Sequence, residues 1–142
     1  MPVPHEMSRR TLITSVVASG TTTPLETPSL DMLGFESVLF IGISSVTSTS
    51  QHLKMKMSTA SATAGMSDAT GRIEQSVTGC LYYDAYRPTK RFVQGSLTAS
   101  GASAPARGLV AIQYGARAQP TTQPAGTTGI RVYSPGSCTA TG

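Results

Sequence analysis

Residues 51–57, reading Q-H-L-K-M-K-M, alternate without exception: Leu53, Met55 and Met57 fall on one side, and His52, Lys54 and Lys56 on the other. A period of two marks a β-strand with one dry face and one wet face, because successive side chains of an extended chain point to opposite sides. The rest of the chain supports strands and little else. Ser and Thr supply 38 of the 142 residues, there are 14 Gly and 9 Pro, and the strong helix formers Glu, Lys and Leu are scarce. A chain of this length holds one domain.

Further strands follow from local pattern. Residues 11–17 are rich in β-branched side chains and predict a first strand. Residues 35–43 form the most apolar run and read as a buried central strand, as do residues 108–114. Strand is expected around residues 79–83 and again over 91–98, where Phe92 should point one way and Val93 the other. Between them Arg87-Pro88-Thr89 reads as a corner, since proline fixes its own φ and donates no backbone hydrogen bond. Residues 58–72, S-T-A-S-A-T-A-G-M-S-D-A-T-G-R, read as a long loop of small residues. Loop chemistry is also expected around Pro24 and over Thr27-Pro28-Ser29, and a short last strand at Ile130-Arg131-Val132-Tyr133. Seven or eight strands with turn signals between them predict an antiparallel β-sandwich of jelly-roll type over residues 11–133. Residues 1–10 and 134–142 are expected to be flexible arms that order on assembly.

The net charge of +4 is unevenly spread. Residues 1–84 carry five basic side chains against seven acidic ones; residues 85–142 carry Arg87, Lys90, Arg91, Arg107, Arg117 and Arg131 with no acid. A basic half of this kind seeks an acidic partner, whether a protein surface or nucleic acid. The aromatic residues Tyr82, Tyr83, Tyr86 and Phe92 interleave with Arg87, Lys90 and Arg91, as in a base-stacking platform. Their apolar context favours aromatics turned inward with cations rimming a turn, so nucleic acid is not the expected partner.

Catalysis is not expected. The two histidines are His5, in an N-terminus expected to be flexible, and His52, on the strand face it shares with Lys54 and Lys56, and neither reads as a general base. The carboxylates are scattered, and no phosphate-cradling loop or dinucleotide fingerprint occurs. Cys80 and Cys138 lie far apart with no metal-ligand spacing, so neither zinc nor any other cofactor is expected. Cys80 sits in an apolar run, where a buried free thiol is the commoner state, and a disulfide to Cys138 is the alternative. Ser8-Arg9-Arg10 before a short apolar stretch has the outline of a twin-arginine export signal, but the stretch is interrupted by Thr14 and Ser15 and reads better as the first strand. No segment reaches the roughly 20 apolar residues of a membrane-spanning helix.

Four segments carry a resemblance: M-S-R-R-T-L-I-T at 7–14, L-G-F-E-S-V-L-F-I at 33–41, Y-R-P-T-K-R-F-V at 86–93 and L-V-A-I-Q-Y-G-A-R at 109–117. In this order they resemble the decoration, or cement, proteins of tailed-bacteriophage heads. The chain departs from that pattern in its basic H-L-K-M-K-M-S segment, its Ser/Thr/Ala linker and its two cysteines. The resemblance implies a virion protein, synthesised in the host cytoplasm, that binds the major capsid protein on the outer surface of an expanded head and associates with itself as a dimer or trimer. Arg87, Lys90, Arg91, Arg107 and Arg117 are the expected capsid-contacting residues. A host- or glycan-binding module displayed on the virion is the first alternative, and a nucleic-acid-binding β-protein the second.

Overall fold

The computed structural model describes residues 11–18, 23–44, 50–61, 65–75, 79–100 and 106–117. They form nine strands: β1 (Leu12–Ala18), β2 (Leu25–Glu26), β3 (Leu30–Asp31), β4 (Ser37–Ser44), β5 (Ser50–Ser58), β6 (Ser67–Gln75), β7 (Gly79–Tyr86), β8 (Phe92–Ser100) and β9 (Arg107–Tyr114). One sheet, here sheet A, runs β1-β9-β4-β7. The other, sheet B, runs β2-β8-β5-β6, with β3 also paired to β8. Every pairing is antiparallel. Counting β2 and β3 as one interrupted strand gives the orders 1-8-3-6 and 2-7-4-5, which is the jelly roll, as the sequence pattern predicted.

The interior follows from alternation. Val38, Phe40, Leu53, Leu97, Leu109 and Ala111 are fully buried between the sheets, and burying each of the larger ones stabilises the fold by about 2 kcal/mol. Two glycines let the sheets approach. A Cβ on Gly95 of sheet B would lie 2.4 Å from Cδ1 of Phe40 in sheet A, and one on Gly42 of sheet A would lie 3.0 Å from Cδ1 of Leu97 in sheet B. Each sheet thus leaves a gap where the other places a large side chain.

Val93 is buried and Phe92 faces outward, as the alternation over 91–98 requires. Three expectations need correction. The loop expected over 58–72 gives way to strand from Ser67 onward, and β6 pairs with β5 across a register shift between Lys54 and Lys56. This edge strand has few apolar residues to announce it. Second, Thr27-Pro28-Ser29 is the expected loop, but the two-residue strands β2 and β3 on either side of it were not expected. Third, Cys80 is exposed on β7, not buried, because it lies opposite in alternation to Leu81. Cys138, the strand expected at 130–133 and both expected arms lie outside the described residues.

Candidate functional site

At one end of the sandwich three loops meet: residues 32–36 before β4, 87–91 between β7 and β8, and 115–117 after β9. Backbone hydrogen bonds tie them together. Arg87 N–H donates to the Glu36 carbonyl at 2.8 Å, Glu36 N–H to the Tyr114 carbonyl at 3.1 Å, Arg117 N–H to the Gly34 carbonyl at 2.9 Å, and Met32 N–H to the Arg91 carbonyl at 2.8 Å. Glu36 is the hub. Its side chain crowds Gly115, which has φ +70° and where a Cβ would lie 2.9 Å from the Glu36 Cβ, so conformation and space both demand glycine.

Arg87 adopts φ +49°, the left-handed region, immediately before Pro88. That conformation is disfavoured for a residue with a Cβ and more so ahead of proline, and costs on the order of 1–3 kcal/mol. Three contacts hold it: the backbone bond to Glu36, the guanidinium bond to Glu36 Oε1 at 3.2 Å, and a cation–π contact at 5.1 Å from the Tyr86 ring. The hydrogen bond to Glu36 also raises the arginine's pKa above its usual value.

Arg91 is fixed more tightly. Its Nε and Nη2 donate to the two carboxylate oxygens of Asp31 at 2.8 and 2.7 Å, a two-pronged pair that fits the guanidinium plane. Its guanidinium also lies 5.0 Å from the Phe92 ring. The hydrogen bond from Arg91 is the main cause of an Asp31 pKa below the usual aspartate value. Lys90 Nζ donates to the Ser67 hydroxyl at 3.1 Å. Among the described residues neither Lys90 nor Arg117 meets a carboxylate.

These four cations line an open hollow of about 390 Å³ together with the apolar Met32, Leu33, Phe35 and Pro88 and with Glu36. Leu33 is exposed there. A lining of four cations and four apolar side chains, with Glu36 already paired to Arg87, suits a partner segment that combines a carboxylate with an apolar side chain.

Of the five arginines and lysines singled out by sequence, four are therefore brought together. Arg107 is not one of them. It is 3% exposed and faces the interior, where its Nη1 and Nη2 donate to the carbonyls of Leu97 at 3.3 Å and Thr23 at 2.7 Å. Burial lowers its pKa below the arginine norm. Its work is structural, because the interrupted β2–β3 segment depends on side chains to hold it. Arg107 holds Thr23, Gln94 Nε2 donates to the Thr27 carbonyl at 2.8 Å, Gly95 N–H donates to Thr27 Oγ1 at 3.0 Å, and Gln113 Nε2 donates to the Asp31 carbonyl at 2.8 Å. Sequence could have shown this: Arg107 shares its side of β9 with Leu109 and Ala111. Asp31 and Glu36, which set the geometry of the basic corner, carried no signal of their own.

The aromatics are also redistributed. Tyr83 packs against the core and Phe92 is half-buried under Arg91, but Tyr82 and Tyr86 are 67% and 66% exposed and point outward from sheet A. The expectation that they turn inward fails, because Leu81 and Ala85 take the inward positions of β7. Among the described residues no three His, Cys, Asp or Glu side chains gather as metal ligands.

No protein-family model matches the chain, and no curated protein matches it. Among solved structures it is similar to the PBSX exported protein XepA, with a TM-score of 0.57 and 14% identity, over 94% of this chain and 46% of that one. The chain thus spans less than half the length of that protein. Looser likenesses are to a structure of Bacillus endospore appendages, described as disulfide-linked pili (TM-score 0.47, 8% identity, 80% of this chain and 97% of the other), and to the SPBc2 prophage-derived protein YomS (0.41, 15%, 71% and 94%). At such identities the first likeness bears on fold alone, and it agrees with the single-domain β-sandwich described above.

Proposed function

We propose that this chain is a structural protein of a phage virion that attaches to the outside of the expanded head at coat-subunit junctions and stabilises it, using the basic corner as its contact. The observation that carries this reading is the gathering of Arg87, Lys90, Arg91 and Arg117 around one hollow by three mutually bonded loops. Two of the cations are held in place by Glu36 and Asp31, so they dock with little loss of side-chain freedom. The other two, Lys90 and Arg117, keep their charge for a partner. The segments that form this corner are the ones that resemble the decoration proteins. The partner chemistry is an acidic loop or terminus of the coat protein bearing an apolar side chain. A single contact of this size is weak, and repetition over an icosahedral lattice makes it effective.

Cosedimentation of the purified protein with expanded heads lacking it tests the reading. Saturable binding at a fixed number of copies per coat subunit, weakened by salt and accompanied by a higher head melting temperature, is expected. A folded protein that stays in the supernatant would refute attachment.

A further inference from the structure

The outer face of sheet A is apolar along its two central strands, β4 and β9, and apolar side chains of β1 and β7 flank them. Register places Ile13, Ile112, Leu39 and Asp84 in one row, Ser15, Val110, Ile41 and Tyr82 in the next, and Val17, Gly108, Ile43 and Cys80 in a third. Val17 is 83% exposed and Ile43 53%, and Tyr82, opposite Ile41 in the neighbouring row, is 67% exposed. In these rows the one charge is Asp84, which accepts a 2.6 Å hydrogen bond from the Tyr114 hydroxyl. An antiparallel sheet facing water alternates apolar and polar residues; residues 38–43 of β4 and 109–112 of β9 do not, and there both sides are apolar. A contiguous patch of this kind marks an interaction surface.

We propose that this face is where two copies of the chain meet, sheet A against sheet A. Charge selects the occupant. The chain carries a net +4, so copies repel through their basic surfaces, yet these rows present no cation and bring no like-charged groups together over most of their area. Size agrees. Four strands about 4.8 Å apart and about 25 Å long cover roughly 480 Å² in projection, and two corrugated faces of that size reach the roughly 1,000 Å² that a specific interface requires. The chain's own remaining segments are poorly matched to it: residues 118–142 hold one short apolar stretch, Ile130-Arg131-Val132-Tyr133, and residues 1–10 hold Met1, Val3 and Met7 among prolines and charges. A two-fold contact between identical faces is the commonest symmetric solution. It leaves the basic corner, at the end of the sandwich, available in both copies.

Pairing of this kind does not depend on attachment to heads, and its test uses none. Sedimentation velocity of the full chain is expected to give twice the chain mass at tens of micromolar. The double substitution Ile43→Lys and Tyr82→Lys, at two exposed positions of the face, is expected to return it to the chain mass with an unchanged circular-dichroism spectrum. Thr98→Lys, on the outer face of sheet B, should leave the dimer intact. A second readout needs no disruptive variant: in a Cys138→Ser background, alkylation of exposed Cys80 should slow as protein concentration rises through the dimerising range. A wild-type chain that sediments as a monomer, a dimer that survives the double substitution, or Cys80 reactivity independent of concentration would each overturn the proposal. So would a monomer that covers this face only when coat protein is added.

Discussion

On the outer face of sheet B, Glu26 meets Lys56, Asp68 meets Lys54 and Glu74 meets Arg72, with His52 Nδ1 3.2 Å from Glu74 as well. On the outer face of sheet A the corresponding positions hold Ile13, Leu39, Ile41, Val110 and Ile112, and the lone carboxylate of Asp84 is bonded to a tyrosine. Both faces rest on the same interior, so the difference is not a requirement of the fold. Sheet B is finished for water: its charges are neutralised within the face and leave little attraction for a partner. Sheet A is finished for contact. The unevenness of charge along the chain has the same lesson. Arg87 and Arg91 of the basic half find Glu36 and Asp31 of the acidic half, because the jelly roll lays distant segments side by side. At the corner, the cations left without a described carboxylate are Lys90 and Arg117.

Because both faces stand on one interior, the largest effect is expected there. Gly95→Ala places a methyl group 2.4 Å from the Phe40 ring, and should cost about 3 kcal/mol in urea unfolding, destabilising the support of both faces together. A loss below about 1 kcal/mol would mean that the sheets adjust independently. Next, Arg107→Met should cost about 2 kcal/mol, since the carbonyls of Thr23 and Leu97 lose buried donors. Arg117→Met, a change of the same kind at the exposed corner, should stay within about 0.5 kcal/mol. Equal effects would erase the distinction between the buried and the rim arginine.

Smaller effects separate the two faces from each other. Lys54→Met removes an exposed ion pair with Asp68 and should cost no more than about 1 kcal/mol, a loss that fades as salt is added. Val17→Thr on sheet A should leave the stability of the isolated monomer within about 0.5 kcal/mol, because the side chain is already largely in water. The smallest effect concerns pH. Asp31 is held below the usual aspartate value by Arg91, so the stability it adds is complete above the unfolded value near pH 4 and is lost as pH falls through the folded value. Melting temperatures from pH 6 to 2 should fall slightly less steeply for Asp31→Asn than for the parent, the difference being small because the pair is exposed.

Much of this fold was legible because alternation and apolar runs are local. They predict β1, β4, β5, β8 and β9 closely, and β7 apart from its last three residues. What the runs over 35–43 and 108–114 could not reveal is that, among the described residues, only one of their two apolar faces packs against the other sheet; burial on both sides and burial on one side read alike in a string of Val, Ile and Leu. β6 was illegible for the opposite reason, since Ser67, Asp68 and Gly71 carry no apolar periodicity and the strand is set by pairing with β5. Two-residue strands beside Pro28 have no periodicity to detect. At the corner, Arg87, Lys90 and Arg91 are neighbours in sequence, but the acidic counterparts of the two arginines lie more than fifty positions away and are joined to them only by the fold.

The central claim, that the basic corner is what attaches this protein to a head, is tested most directly by one comparison on expanded heads. Lys90→Glu combined with Arg117→Glu reverses the two cations that no described carboxylate meets, without touching the interior or sheet A. Its occupancy on heads, measured beside the parent at equal concentration, should fall by at least tenfold while its circular-dichroism spectrum and sedimentation in free solution stay unchanged, a loss of about 1.4 kcal/mol or more in attachment. Occupancy equal to the parent's would contradict the claim and move the contact elsewhere on the molecule.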